Sequence, residues 1–197
     1  MWLSRSVRLS MALVIILSAC IYTTGCFSSG DLEAQRDEVI SAISAHRTSF
    51  DNYFIVYTIG IDLWNIEVSG GSVNSRVLRT QIAREEGFLA DVSGKHRQVS
   101  ASVTRFWGIA QTLEGNEGAR ASDIAWNLRV YDEEMWNAQN ALIGRLSSLR
   151  QYLDMVDAGK KDAAEALSYL ESANTLSLDA AGAIGRADAA RIRAESG

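Results

Sequence analysis

The sequence predicts an all-α protein: an antiparallel up-down-up-down four-helix bundle with long helices over residues 31–197, preceded by an N-terminal signal or anchor segment. From Asp31 onward, apolar residues recur at alternating steps of three and four, which lines one side of a helix. The 197 residues include no proline, the main breaker of helices. The interruptions are short and contain glycine, and short loops force neighbouring helices to run antiparallel.

Each helix has a recognisable start or end. Serine and aspartate at 28–31 suit the first N-cap, and the glycine pair at 70–71 ends that helix. The turn formers at 114–118 end the second helix, and Gly159 is a candidate left-handed C-cap for the third. We therefore expect helices over residues 31–68, 73–113, 121–157 and 160–193.

The fourth segment is rich in alanine and should be narrow, so it is expected to pack closely against bulkier neighbours. The first segment supplies large side chains: Phe50, Tyr53, Phe54, Tyr57 and Trp64.

The charge of the chain argues against a nucleic-acid partner. The formal net charge is -5 and the isoelectric point is near 5.1. Binding to phosphates needs a clustered excess of lysine and arginine, and no basic stripe is present.

The N-terminus has the layout of a secretory signal. Arg5 and Arg8 precede an apolar run over 9–22, with no acidic residue among them. Within this run, Leu17-Ser18-Ala19-Cys20 resembles the lipobox of prokaryotic membrane lipoproteins, in which the cysteine is lipidated and becomes the mature N-terminus. The resemblance covers these four residues and implies lipidation at Cys20.

Two alternatives stay open for this segment. A second candidate lipobox ends at Cys26, although threonine is unusual at the position of Thr23. The 22 uncharged residues between Arg8 and Asp31 would span about 33 Å as a helix, so an uncleaved anchor is the other alternative. We expect a signal or anchor over 1–25, a tether over 26–30, and a domain on the extracytoplasmic side of the cell membrane.

The two histidines of the chain are predicted to face each other. Folding at the glycine pair sets the first helix against the second so that paired residue numbers add up to about 142, which places His46 opposite His96. The same register, carried onward, brings Gln139 of the third helix and Asp179 of the fourth near this level. Asp179 is a candidate oxygen ligand.

Two imidazoles could ligate a metal ion or a haem inside a bundle, but they are a thin ligand set. Di-iron bundles place glutamate three residues before each histidine, whereas Ile43 and Ser93 occupy those positions here, and no Cys-x-x-Cys-His motif is present. We interpret His46 and His96 as a polar layer that fixes register and expect no cofactor. Metal or haem binding there and a pH-sensitive packing change are alternatives.

Other polar and aromatic residues have structural interpretations. Glu85 falls opposite Tyr57, which predicts a buried hydrogen-bonded pair. No spacing typical of a catalytic residue set or of a phosphate-binding loop is present. The helical spacing of Trp107, Trp126 and Trp136 favours the core, with a partner-binding face as the alternative.

These observations predict a membrane-anchored, non-enzymatic binding or structural module of the cell envelope. Its expected partners are the membrane, through the N-terminal anchor, and an envelope protein or a second copy of itself. A bundle that binds a metal or haem between His46 and His96 is the alternative function.

Overall fold

The computed structural model describes residues 29–69, 71 and 73–196, which form four helices and no strand. The predicted all-α four-helix bundle is confirmed. The predicted signal, with Cys20 and Cys26, lies outside the described residues. Within the described ranges, no helix is both long enough and apolar enough to cross a bilayer. The helices are α1 (Ser29–Ser69), α2 (Ser75–Ala110), α3 (Gly115–Asp157) and α4 (Ala164–Ser196).

Two boundaries differ from the prediction by more than three residues. α3 begins at Gly115, not at 121, because Gly115 takes a positive φ of 68° and the residues after it enter the helix directly. Glu117 lies in this first turn, where a negative charge is favourable. α4 begins at Ala164, not at 160. Gly159, at φ 71°, has the predicted left-handed conformation, follows the C-cap residue Ala158, and donates to the Val156 carbonyl at 2.9 Å.

The register of α1 against α2 agrees with the prediction. The Gln81 side chain donates to the Val56 carbonyl at 2.8 Å, and the Ser102 hydroxyl donates to Glu38 at 3.1 Å. The core runs the length of the bundle. Its large members from the first two helices are Val39, Ile43, Phe50, Tyr53, Trp64, Leu78, Ile82, Leu89, Val92, Val99, Val103 and Phe106.

The fourth helix lies closer to α3 than to α1. α4 packs along α3, whereas no Cα atom of α4 lies within 8 Å of one in α1 among the described residues. Long side chains cross the wider seam: Arg36 donates to the Glu195 carbonyl at 2.9 Å, and Arg47 pairs with Asp188. The buried face of α4 consists of Ala166, Ala173, Ala180, Ala183, Ala187, Ala190 and Ala194.

Candidate functional site

The two histidines meet in the middle of the bundle, as the register predicted. Their ring centroids are 5.3 Å apart, His46 is completely buried on α1, and His96 is nearly so on α2. Three residues of α3 complete what we call the histidine layer: Tyr131, Asp132 and Gln139. Gln139 was predicted at this level, and its Nε2 lies 3.5 Å from His46 Nε2.

Both ring nitrogens of His46 have a polar neighbour from α3. Nδ1 lies 3.2 Å from the Tyr131 hydroxyl, and Nε2 lies 3.5 Å from the Gln139 side-chain amide. His96 donates from Nε2 to the Asp132 carboxylate at 2.9 Å and the Asp132 carbonyl at 3.1 Å. Ser100 also donates to that carboxylate, at 2.5 Å.

Burial keeps His46 neutral at pH 7. The pKa of His46 is lowered from 6.5 to about 4, chiefly by burial and next by the neighbouring His96, while Asp132 opposes the shift. Burial also raises the pKa of the Tyr131 hydroxyl, so this group stays protonated. His46 and Tyr131 are therefore both uncharged at pH 7.

The histidine layer contains fewer potential metal ligands than protein zinc sites usually use. Within residues 29–69 and 73–196, no three His, Cys, Asp or Glu side chains are grouped so that they could hold a metal ion. The hydrogen bonds from His46 to Tyr131 and from His96 to Asp132 fit the interpretation as a register-fixing polar layer.

Asp179, the candidate oxygen ligand, does not point into the histidine layer. Asp179 is exposed, and the charge that it faces is Arg186. It precedes the buried Ala180 by one residue, a rotation of about 100° around the helix, which turns it away from the core. The α4 carboxylate that reaches the histidine layer is Asp188, which pairs with Arg47.

A second polar layer crosses the core nearer the α1–α2 loop. Glu85 is completely buried and accepts from Arg145 Nη1 at 2.7 Å, and Arg145 is only 4% exposed. Gln81 lies between the Val56 carbonyl, at 2.8 Å, and Glu85, at 3.4 Å. We call Gln81, Glu85, Arg145 and Tyr57 the ion-pair layer.

The prediction that Glu85 pairs with Tyr57 is wrong. Tyr57 lies at the right level, but the side chain paired with Glu85 is Arg145, and Tyr57 presents its ring face 4.6 Å from the guanidinium carbon. The sequence held a signal for this arginine. Arg145 sits between Leu142 and Leu149 at the same steps of three and four, so it occupies a core position of α3.

The Glu85 side chain is shielded from solvent on all sides. Burial raises the pKa of the Glu85 carboxyl, and Arg145 opposes that shift. Burial, followed by the charge of Glu85, raises the pKa of the Tyr53 hydroxyl. A Cβ atom at Gly60 would collide with Oε1 of Glu85, so a larger residue there would force this carboxylate to move.

A row of large apolar side chains lies outside the core along the seam of α2 and α3. Trp126 is 59% exposed and Trp136 is 54% exposed, so the prediction that they belong to the core is wrong. Trp126 lies 6.5 Å from the half-buried Trp107, and Trp136 stacks on His96 at 6.1 Å. With the exposed Ile143, these three tryptophans form what we call the tryptophan face.

No protein-family model, curated protein or solved structure matches this chain.

Proposed function

We propose that this protein is a membrane-anchored, non-enzymatic binding module of the cell envelope that contacts a partner protein through the tryptophan face. The observation that carries the proposal is the exposure of Trp126 and Trp136 on one seam of the bundle. Tryptophan is enriched at the centres of protein interfaces and dominates their binding energy.

The tryptophan face has the dimensions of an interface. Trp126, Trp136 and Ile143 all lie on the side of α3 that borders α2, and 17 residues of helix span about 25 Å. Charged groups border it: Arg129 lies 5.3 Å over the Trp107 ring, and Arg150 pairs with Glu86 at 2.5 Å beyond Ile143. An apolar centre with a charged rim is the usual arrangement at protein interfaces.

The buried polar groups support a structural role over a catalytic one. His46 and Glu85 are both completely enclosed, and each is hydrogen-bonded to protein groups. A catalytic acid or base must reach a substrate, which neither side chain can do in this conformation.

The membrane anchor is part of the proposal. Its support is the arginine-flanked apolar run of 9–22 with the lipobox-like Cys20. The intact mass of the protein extracted from its native membrane separates the three alternatives. We expect a chain that starts at a diacylated Cys20. A chain that starts at Cys26 or an uncleaved chain would replace that assignment, and an unmodified chain cleaved elsewhere would refute lipid anchoring.

The interface is tested by site-specific photocrosslinking in the native envelope. A photoreactive phenylalanine analogue placed at Trp126 or Ile143 should give a discrete crosslinked product. The matched control carries the analogue at Thr175, an exposed position on α4, and should give none. Crosslinks absent from both face positions, or equally strong at Thr175, would refute the partner-binding role of this face.

A further inference from the structure

The seam between α1 and α4 contains a groove in the half of the bundle nearer the α1–α2 loop. Its volume is about 300 Å³, at the lower end of the range for small-molecule sites. Tyr57 and Trp64 of α1 form one wall, Leu170 and Ser177 of α4 form the other, and Leu149 and Arg145 of α3 lie between them. We call this cavity the α1–α4 groove.

The composition of α4 explains why this groove is open. Ala173, which lines it, has a side chain too short to reach across to α1. α4 is also drawn toward α3: a Cβ atom at Gly144 of α3 would lie 3.2 Å from the Leu176 side chain. The rings of Tyr57 and Trp64 therefore face a gap that no α4 side chain fills.

The charge of the groove is one-sided. Of the described residues that line it, Arg145 alone is charged. Its partner Glu85 is completely buried beneath it and is not part of the lining. A guanidinium has five N–H donors, and the hydrogen bond to Glu85 uses Nη1, so donors are left for an acceptor that enters from the groove.

We propose that the α1–α4 groove binds an amphiphilic carboxylate whose acidic head pairs with Arg145 and whose apolar tail lies against Trp64 and Leu170. A planar fork of donors suits a carboxylate better than a neutral head group. The stretch from Tyr57 to Val68 is about 16 Å long, which accommodates an extended short chain. This site is separate from the tryptophan face, so either proposal can fail alone.

The test uses octanoate and its neutral analogue octan-1-ol. Each is titrated calorimetrically into the full-length chain in lipid nanodiscs, with empty nanodiscs as the blank. We expect octanoate to bind with a Kd on the order of 10⁻⁴ M and octan-1-ol at least about 10-fold more weakly. Octanoate heats equal to the blank, or equal affinity for both compounds, would overturn the proposal.

Two variants locate the site. Ser177→Leu fills the groove and should weaken octanoate binding about 10-fold or more, whereas Thr175→Leu, at an exposed position on α4, should not. Replacing the whole ion pair, with Glu85→Leu and Arg145→Leu together, leaves no unpaired buried charge. This double variant should lose the preference for octanoate over octan-1-ol. Unchanged octanoate binding in Ser177→Leu, or a preference retained in the double variant, would place the ligand elsewhere and refute the proposal.

Discussion

The histidine layer and the ion-pair layer cross the same core about three helical turns apart, and they bury polar groups in opposite ways. In the histidine layer, His46 is held neutral between Tyr131 and Gln139. In the ion-pair layer, Glu85 faces the guanidinium of Arg145 at 2.7 Å. Burial penalises charge, so His46 stays neutral in the first layer, whereas the second layer pairs the buried charge of Glu85 with that of Arg145.

This difference predicts which change destabilises each layer. The ion-pair layer depends on having both partners, because either charge left alone in the core is costly. The histidine layer depends on the protonation state of His46, because protonation would place a positive charge where burial disfavours it.

The largest effect is expected from removing one partner of the ion pair. Arg145→Leu leaves Glu85 buried without a counter-charge and should reduce the free energy of unfolding by about 3 to 5 kcal/mol. The double replacement with Glu85→Leu should restore most of this loss. Urea unfolding of the three proteins measures both changes. A single variant as stable as the parent would show that the ion pair is not a buried, coupled unit.

Acidification should weaken the histidine layer next. The pKa of His46 is about 4 in the folded protein and 6.5 when unperturbed. Between these values the unfolded chain takes up the proton more readily, so the free energy of unfolding should fall as the pH falls from 6.5 to 4. This loss of stability begins near pH 6.5, is complete below about pH 4 and amounts to roughly 3 kcal/mol.

Urea unfolding at about pH 7.5 and about pH 4.5 measures this loss. Carboxylates titrate in the same window, so the comparison is with His46→Gln, which lacks the imidazole but keeps its carboxylate neighbours. The parent should lose more stability than the variant. Equal losses in the two proteins would contradict the assignment of the effect to His46.

A smaller loss is expected from adding a methyl group over Glu85. Gly60→Ala places a Cβ against the carboxylate and should reduce the free energy of unfolding by about 1 to 3 kcal/mol. Gly87→Ala is the matched control, because nothing lies within 4 Å of a Cβ built there. That control should be neutral or stabilising by up to about 1 kcal/mol. Thermal unfolding of both variants distinguishes the crowded glycine from the free one.

The apolar periodicity was sufficient to predict the fold and the α1–α2 register. Each helix must bury its apolar side, and the short loop between α1 and α2 determines which residues then lie opposite each other. His46 and His96 were placed face to face for this reason. The boundary at Gly115 could not be predicted from composition, because turn-forming residues are also acceptable in the first turn of a helix.

The candidate sites were harder to predict, because they depend on three-dimensional choices among several neighbours. Glu85 had Tyr57 and Arg145 within reach, and the stronger charge pairing determined its partner. Trp126 and Trp136 follow a helical spacing, but both lie beside the buried seam rather than in it. The spacing alone does not determine how the helix is rotated about its axis, and this rotation decides whether they are buried. The α1–α4 groove results from unequal distances between neighbouring helices, and these distances cannot be inferred from the sequence of any one helix.

The alanine face of α4 also bears on how the bundle opens. α4 packs along α3 and is joined to α1 mainly by long side chains such as Arg36 and Arg47, so the backbone of α4 lies close to that of α3 and not to that of α1. Helices that pack closely against each other tend to unfold locally as one cooperative unit. The hairpin of α3 and α4 should therefore exchange its amide hydrogens as one block, at a rate distinct from that of α1.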